Sequence, residues 1–354
     1  MKILLIKFRN IGDVLISSVL ASNLKSHFPQ SEISFAINKE SSEILEDNPN
    51  IDHLILYNRK EIKSYHLFKK IYYESKFAYS IRKKNFDVVI NLTEGDRGAL
   101  YTLISCARYK FGYRARKGLL SKIKIFNGIG SESKILHSVE RDLQFLKKLG
   151  KDVIKSQLQI FWDEHTENLV YRQYSYLFEK QKMIIVHPVS RWMFKCWDSR
   201  SMALVIDFFQ QEKGYKVVIT GSDSENELKK INEIIMLCKS NPKNLAGKLN
   251  LKELSCLTSK AFMFFGIDSA PMHIACATNT PVFALFGASS PVNWGPWHNG
   301  KIKFKNDNGI QFNGMHYIVS NMNQEIFYKS GIKSSRGMSE IKHDYVLDKL
   351  SQIV

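Results

Sequence analysis

Short, strongly apolar runs alternate with amphipathic stretches along this chain, and the alternation limits the folds that it can form. The runs in the first half are ILLIKF (3–8), ISFAIN (33–38), LILY (54–57) and DVVINL (87–92). The pattern restarts with MIIVH (183–187), YKVVIT (215–220), AFMFFG (261–266) and PVFALFG (281–287). Continuous β-branched runs of this length, separated by helices, indicate α/β domains whose parallel sheets are covered by helices on both faces.

The helices predicted between these strands divide into the same two series. They cover 13–28, 60–84 and 138–149, with Gly150 as a left-handed cap, and then 198–213, 223–239, 251–259 and 269–278. A chain of 354 residues suits two domains. The alternation of apolar and polar residues is lost over 151–180, so we expect the chain to cross from the first domain to the second there. We therefore predict two facing Rossmann-like domains, 1–165 and 166–335, and a C-terminal helix in 336–354 that packs back on the first domain.

The net charge of +17 is unusual and unevenly distributed. Residues 108–124 carry seven Lys or Arg and no acidic residue, while 59–84 carry nine basic and two acidic residues interleaved with tyrosines. Such a surface attracts polyanions, either nucleic acid, anionic lipid or a phosphorylated substrate. The alternative is a solvated lysine-rich face without a partner.

The cysteines and the apolar segments bear on the compartment. Five scattered cysteines without a CxxC pair argue against disulfides and zinc and favour a reducing cytoplasm. Lys7, Arg9 and Asp13 interrupt the apolar N-terminus, so no signal peptide is expected. No segment has the apolar length of a membrane-spanning helix. The expected location is cytoplasmic.

Three turns that follow predicted strands carry polar groups. In the first turn, Gly12 allows close backbone approach and Asp13 is placed to act as a general base or, alternatively, to cap the helix. In the second, Ser190, Arg191 and Lys195 form a cationic turn suited to a diphosphate. His187 before that turn is interpreted as a hydrogen-bonded residue rather than a ligand.

The third turn opens the segment FGIDSAPMHIACA (265–277). Asp268 ends a strand and Ser269 opens a helix whose free N–H groups form an anion site, and His273 lies one turn further. Ordinary capping is the alternative for Asp268 and Ser269.

A fourth stretch, TGSDSENE (220–227), offers carboxylates for the hydroxyls of a ribose. Ser222 and Glu225 match a capping box, which leaves Asp223 as the contact to the ribose.

Taken together, these segments resemble the heptosyltransferases of glycosyltransferase family nine. The resemblance is carried by MKILLIKFRNIGD (1–13), NLAGKLNLKEL (244–254), GIDSAPMHIACA (266–277) and PVFALFGASSP (281–291). Three features are similar to the lipopolysaccharide heptosyltransferase III subgroup, namely NLTEGDR (91–97), SRWMFKCW (190–197) and DSAPMH (268–273).

The resemblance implies a GT-B fold and an inverting glycosyltransferase that moves heptose from ADP-heptose to a heptose of the lipopolysaccharide inner core, without a metal or other cofactor. Asp13 falls on the catalytic base. The positions implied for donor binding are Gly12, Ser190, Arg191, Lys195, Asp223, Asp268, Ser269, Ala270 and His273. The positions implied for acceptor binding are Arg9, Asn10 and Arg97. Ala270 is a departure, because the family often has glycine there.

The basic clusters then predict a peripheral protein at the anionic cytoplasmic face of the inner membrane rather than a nucleic-acid partner. Another family-nine transferase with a different acceptor is the main alternative, and a basic nucleic-acid-binding protein is a second. A nucleotide-sugar epimerase or a Rossmann dehydrogenase is a third, and the lack of a GxGxxG segment with an acidic residue about 20 positions on weakens the dehydrogenase.

Overall fold

The computed structural model describes residues 1–114, 119–131, 133, 135–300, 303–323, 325–329 and 331–354. They form two compact units, 1–161 and 162–354. Both units are α/β, as predicted. Among the described residues, none of the helices combines the length and the apolar character needed to traverse a bilayer.

The first unit contains one parallel sheet of six strands in the order β3-β2-β1-β4-β5-β6. Its strands are β1 (Lys2–Lys7), β2 (Glu32–Asn38), β3 (His53–Tyr57), β4 (Val88–Asn91), β5 (Tyr109–Gly112) and β6 (Gly128–Ile129). Its helices are α1 (Ile11–His27), α2 (Arg59–Ser64), α3 (Leu67–Lys83), α4 (Asp96–Ile104) and α5 (Ser138–Lys148), with 3₁₀ turns at Lys39–Ile44 and Leu119–Ser121. The central strands β1 and β4 are almost completely buried, which explains their uninterrupted apolar sequences.

The helix predicted over 60–84 is two helices rather than one. The chain extends at Tyr65, and the His66 side chain accepts from the Lys69 N–H to cap α3. The predicted cap at Gly150 is confirmed by its φ of +68°.

The second unit contains a seven-stranded sheet in the order β12-β13-β11-β10-β7-β8-β9, parallel except for the β12–β13 pair. Its strands are β7 (Met183–His187), β8 (Lys216–Ile219), β9 (Lys243–Asn244), β10 (Met263–Ile267), β11 (Val282–Phe286), β12 (Gly309–Asn313) and β13 (His316–Ser320). A separate hairpin consists of β14 (Ile326–Lys329) and β15 (Ile332–Ser335).

The helices of the second unit cover the sheet and extend to the C-terminus. They are α6 (Glu164–Tyr174), α7 (Ser199–Asp207), α8 (Glu225–Leu237), α9 (Leu251–Ser259), α10 (Ala270–Ala277), α11 (Pro291–Trp294), α12 (Arg336–Glu340) and α13 (His343–Ser351), with 3₁₀ turns at Ser175–Leu177 and Met193–Lys195. A π-helical turn, Phe208–Glu212, prolongs α7.

The C-terminal segment needs a correction. Residues 336–354 form two short helices, and the apolar side chains of α13, Val346 and Leu350, lie in the core of the second unit. This core anchors α13 within the second unit, and packing of the segment on the first domain stays a prediction. The driving force is the burial of these side chains, which are fully inaccessible to solvent.

Candidate functional site

The first group of candidate residues lies where β1 ends and α1 begins. Asn10, in extended conformation, is the N-cap residue, so Asp13 is not the cap but the third residue of the helix. The half-buried Asp13 carboxylate accepts a hydrogen bond from the Asn10 backbone N–H. Gly12, between them, is buried.

The electrostatic surroundings of Asp13 pull its pKa in two directions. Burial raises the pKa of the Asp13 carboxyl, and the nearby Asp142 raises it further, while Lys7, Arg9 and the Asn10 N–H oppose the rise. The balance leaves the pKa above its ordinary value. A carboxylate with a raised pKa is a better proton acceptor, which is the property that a general base needs.

Beneath this turn lies a buried ion pair that the sequence analysis did not identify. Lys7 Nζ is 3.1 Å from Asp142 Oδ2, and the hydroxyl of Ser17 lies 2.5 Å from the same oxygen. The Tyr113 hydroxyl is 3.2 Å from the other carboxylate oxygen, Oδ1. The partners come from β1, α1, α5 and the residue after β5, so only the tertiary fold brings them together.

The residues predicted to bind an acceptor lie at the carboxyl ends of β1 and β4. The Arg9 guanidinium donates to the Glu94 carbonyl oxygen at 3.3 Å and is 3.6 Å from its carboxylate. Arg141 forms a salt bridge with the same carboxylate. The Arg97 guanidinium lies 4.6 Å from the ring centroid of Tyr57. Glu94 thus positions Arg9 and is itself held by Arg141, and neither Glu94 nor Arg141 was among the predicted site residues.

The second group of candidates gathers at the carboxyl ends of neighbouring strands in the second unit. Lys195 follows β7, and its Nζ lies 2.5 Å from Asp268 Oδ2, after β10. Ser289, after β11, donates to the same oxygen at 2.5 Å. The capping interpretation of Asp268 is wrong, because Ser269 is the N-cap residue of α10 and the Asp268 carboxylate binds a lysine and a serine. Ser289 is a residue that the sequence analysis did not single out.

The N-terminus of α10 offers polar atoms without a bonding partner. Ser269 occupies the N-cap position, but its side chain makes no cap hydrogen bond. Its Oγ and the Nδ1 of the buried His273 have no hydrogen-bond partner among the described residues. Burial lowers the pKa of His273 to about 4, so its ring is neutral at pH 7. Ala270 is the first residue of this helix, and Pro271 follows it. Buried polar atoms without partners are uncommon in folded proteins, and these two remain available for hydrogen bonds to a ligand.

The loop after β7 is held by the C-terminal part of the chain. Trp197 is buried, and its indole Nε1 donates to the Ile341 carbonyl at 3.0 Å. The ammonium of Lys333 lies 4.5 Å from the ring centroid of Phe194. Ser190, at the start of the loop, accepts from the Trp192 N–H at 3.3 Å.

Two other predictions for this region had different outcomes. The interpretation of His187 is confirmed, because its Nδ1 lies 2.9 Å from Thr220 Oγ1 in the core. The capping box between Ser222 and Glu225 is wrong, because the Ser222 N–H donates to Glu227 at 2.9 Å. Asp223 is exposed in this loop after β8, the strand that neighbours β7.

Arg191 lies beside the exposed Trp192, with its guanidinium carbon 5.2 Å from the ring centroid. Across the described ranges, no group of three or more His, Cys, Asp or Glu side chains is arranged to hold a metal ion.

Comparison with known proteins places the chain in a family. The sequence model described as glycosyltransferase family 9 (heptosyltransferase) matches residues 75–313. The lipopolysaccharide heptosyltransferase 3 of Escherichia coli K12 is 33% identical over 83% of this chain and 84% of its own length. The lipopolysaccharide core heptosyltransferase OpsX of Haemophilus influenzae is 24% identical over 99% of this chain and 96% of its own.

Solved structures share the fold along the whole chain. A family 9 glycosyltransferase from Veillonella parvula superimposes with a TM-score of 0.79 at 22% identity, covering 99% of this chain and 96% of that one. The E. coli heptosyltransferase WaaC with ADP gives a TM-score of 0.75 at 16% identity, with both chains fully covered. These neighbours confirm the predicted GT-B fold. With the family match and the 33% identical relative, they lead to one conclusion: the chain belongs to glycosyltransferase family 9, the heptosyltransferases.

Proposed function

We propose that this enzyme transfers heptose from ADP-heptose to a heptose of the lipopolysaccharide inner core, with inversion at the anomeric carbon. The relatives that are 30–33% identical are named lipopolysaccharide heptosyltransferase 3. One E. coli WaaC structure contains ADP and another contains ADP-2-deoxy-2-fluoro heptose. The family and these names support a heptose donor and a core acceptor.

The observation that carries the proposal is the polar group at the N-terminus of α10. Lys195 is held there by Asp268, and Ser269 Oγ and His273 Nδ1 lie nearby without partners among the described residues. A helix N-terminus and an ammonium group together favour a diphosphate. We assign a backbone contact with the donor to Gly12. The other residues that we assign to donor binding are Ser190, Arg191, Lys195, Asp223, Asp268, Ser269, Ala270 and His273.

In the proposed reaction Asp13 removes the proton from the acceptor hydroxyl. The acceptor oxygen forms a bond to the anomeric carbon as the bond from that carbon to the ADP oxygen breaks on the opposite face. ADP leaves with the bonding electron pair, and Lys195 and the α10 N-terminus stabilise its negative charge. Arg9, Asn10 and Arg97 are assigned to the acceptor, whose phosphates and acidic sugars suit guanidinium groups.

Incubation of the protein with ADP-heptose and a heptose-bearing core oligosaccharide should add one heptose to the acceptor, measured by mass spectrometry. A series of truncated cores identifies the sugar that accepts the heptose. Transfer only to an acceptor without heptose would favour the alternative of another family-nine transferase. Absence of transfer to every core acceptor would contradict the proposal.

We also propose that α3 holds the enzyme on the anionic cytoplasmic face of the inner membrane. Five large apolar or aromatic side chains of α3 are exposed: Leu67 (67%), Phe68 (81%), Ile71 (54%), Tyr72 (61%) and Tyr79 (64%). Basic side chains of the same helix are also exposed, three between these residues and two after them: Lys69, Lys70, Lys76, Arg82 and Lys83. Basic helices with exposed aromatic residues lie in the interface of anionic bilayers. The second basic cluster, 108–124, lies partly outside the described residues, because it includes 115–118.

Replacing Phe68 and Ile71 together by serine should weaken binding to phosphatidylglycerol vesicles by about tenfold or more, since a fully buried side chain of this size contributes roughly 1.5–3 kcal/mol. Vesicle sedimentation measures the effect. Met236→Ser, which removes a side chain 86% exposed on α8, is the matched control and should leave binding unchanged. Vesicle binding that does not weaken as salt is added would count against the membrane assignment. A higher affinity for RNA than for the vesicles would count against it as well.

A further inference from the structure

The ion pair beneath Asp13 places two charged side chains in a buried position, which packing of the core alone does not require. Lys7 and Asp142 are 7% and 3% exposed, and both side chains come from elements far apart in sequence. Replacing a buried ion pair by well-packed apolar residues is often neutral or stabilising, so stability alone is a weak reason for its presence. The position of the pair next to Asp13 offers another reason.

The pair is linked to Asp13 through α1. The Ser17 hydroxyl lies 2.5 Å from Asp142 Oδ2 and 2.8 Å from the Asp13 carbonyl oxygen, one helical turn earlier. Tyr113 adds a second hydroxyl beside Asp142. The ammonium of Lys7 therefore has a fixed position relative to the turn that carries Asp13.

The charged groups facing Asp13 come from three places. They are Lys7 at the end of β1, Arg9 in the turn, and Asp142 on α5. Arg9 is half exposed and forms a salt bridge with Glu94, and Glu94 forms a second salt bridge with Arg141 from α5. Only Lys7 and Asp142 are both charged and buried, where charges are least screened by solvent.

We infer that Lys7 and Asp142 are positioning residues for the catalytic base: the Lys7 ammonium keeps Asp13 ionised in its half-buried position, and Asp142 holds Lys7 there. This inference rests on the proposed function, in which Asp13 is the base. Neither residue needs to touch the substrate.

The two halves of the pair should shift the pH dependence of kcat/KM in opposite directions. In Lys7→Met the loss of a positive charge raises the pKa of Asp13. The acidic limb of the pH profile, where kcat/KM falls as the pH is lowered, therefore moves to higher pH. Activity is then lost more strongly at pH 6 than at pH 8. In Asp142→Asn the loss of a negative charge lowers that pKa, and the limb moves to lower pH. The double variant should lie between the Lys7→Met enzyme and the unaltered enzyme.

Lys7→Arg keeps the positive charge and should restore the limb toward its original position. The matched control is another ion pair of the first unit, between Lys25 on α1 and Asp52 just before β3, joined at 2.9 Å. Lys25 lies about 18 Å along the helix from Asp13, at a rise of about 1.5 Å per residue. Lys25→Met and Asp52→Asn make the same charge changes and should leave the limb in place.

Shifts of the limb in the same direction for Lys7→Met and Asp142→Asn, or no shift in either, would overturn the inference. Thermal unfolding of each variant identifies losses of activity that come from a damaged fold. The direction in which the acidic limb shifts is then read from the variants that stay folded, the double variant included. Failure of the proposed function is recognised separately. If Asp13→Asn retains full turnover, Asp13 is not the base. If Asp13→Asn is inactive but the acidic limbs of the Lys7 and Asp142 variants do not move, only the role of Lys7 and Asp142 is wrong.

Discussion

Replacement of Asp13 by asparagine should lower turnover by roughly 10²–10⁴-fold, the usual contribution of a positioned general base. Asparagine keeps the shape of the side chain and can still accept from the Asn10 N–H, so α1 should remain intact. The donor contacts assigned to the second unit are unaltered. Binding of ADP should therefore change little.

Turnover measured by release of ADP, together with calorimetric titration of ADP, separates the two effects. Asp152→Asn removes an exposed carboxylate of the same unit and should retain full activity. An Asp13→Asn enzyme within threefold of the unaltered one at pH 7 would refute the role of Asp13 as base.

Lys195→Ala should weaken binding of ADP by about 10–100-fold, because a hydrogen bond to a charged group contributes roughly 1.5–3 kcal/mol. The deletion also leaves the Asp268 carboxylate without the ammonium that lies 2.5 Å from it. That unneutralised charge would then repel the diphosphate. The loss should appear mainly as a higher KM for ADP-heptose.

Calorimetric titration with ADP measures this change. Lys260→Ala is the matched control, because it breaks an ion pair of the same unit, with Glu167 at 3.0 Å, outside the candidate site. Unchanged affinity for ADP in Lys195→Ala would contradict the assignment of Lys195 to the donor phosphates.

Much of the fold could be predicted from sequence because buried parallel strands are marked by continuous apolar runs. Strands such as β5 and β6 were missed because their exposed, polar or glycine-containing residues lack that mark. The break between α2 and α3 was missed for another reason. Helical spacing continues through Tyr65 and His66, and only the cap at His66 reveals where α3 begins.

The candidate site was predictable only in part. Residues that follow strands, such as Asp13 and Lys195, could be found because strand ends share one edge of a parallel sheet. Their partners could not, since Lys7 and Asp142 are 135 positions apart and nothing in the sequence pairs them. Asp268 shows the same limit, because its position before a helix resembles a cap and its contacts with Lys195 and Ser289 depend on tertiary structure.

The contact between the loop that carries Lys195 and the segment around Ile341 bears on the order in which the second unit folds. Trp197 hydrogen-bonds to Ile341, which is synthesised 144 residues later. Domains generally fold in order as they leave the ribosome. The first unit can thus form while the second is still being synthesised, whereas the loop that carries Lys195 gains this support only once residue 341 has left the ribosome. A truncation before Ile341 should therefore weaken binding of ADP and leave the first unit folded.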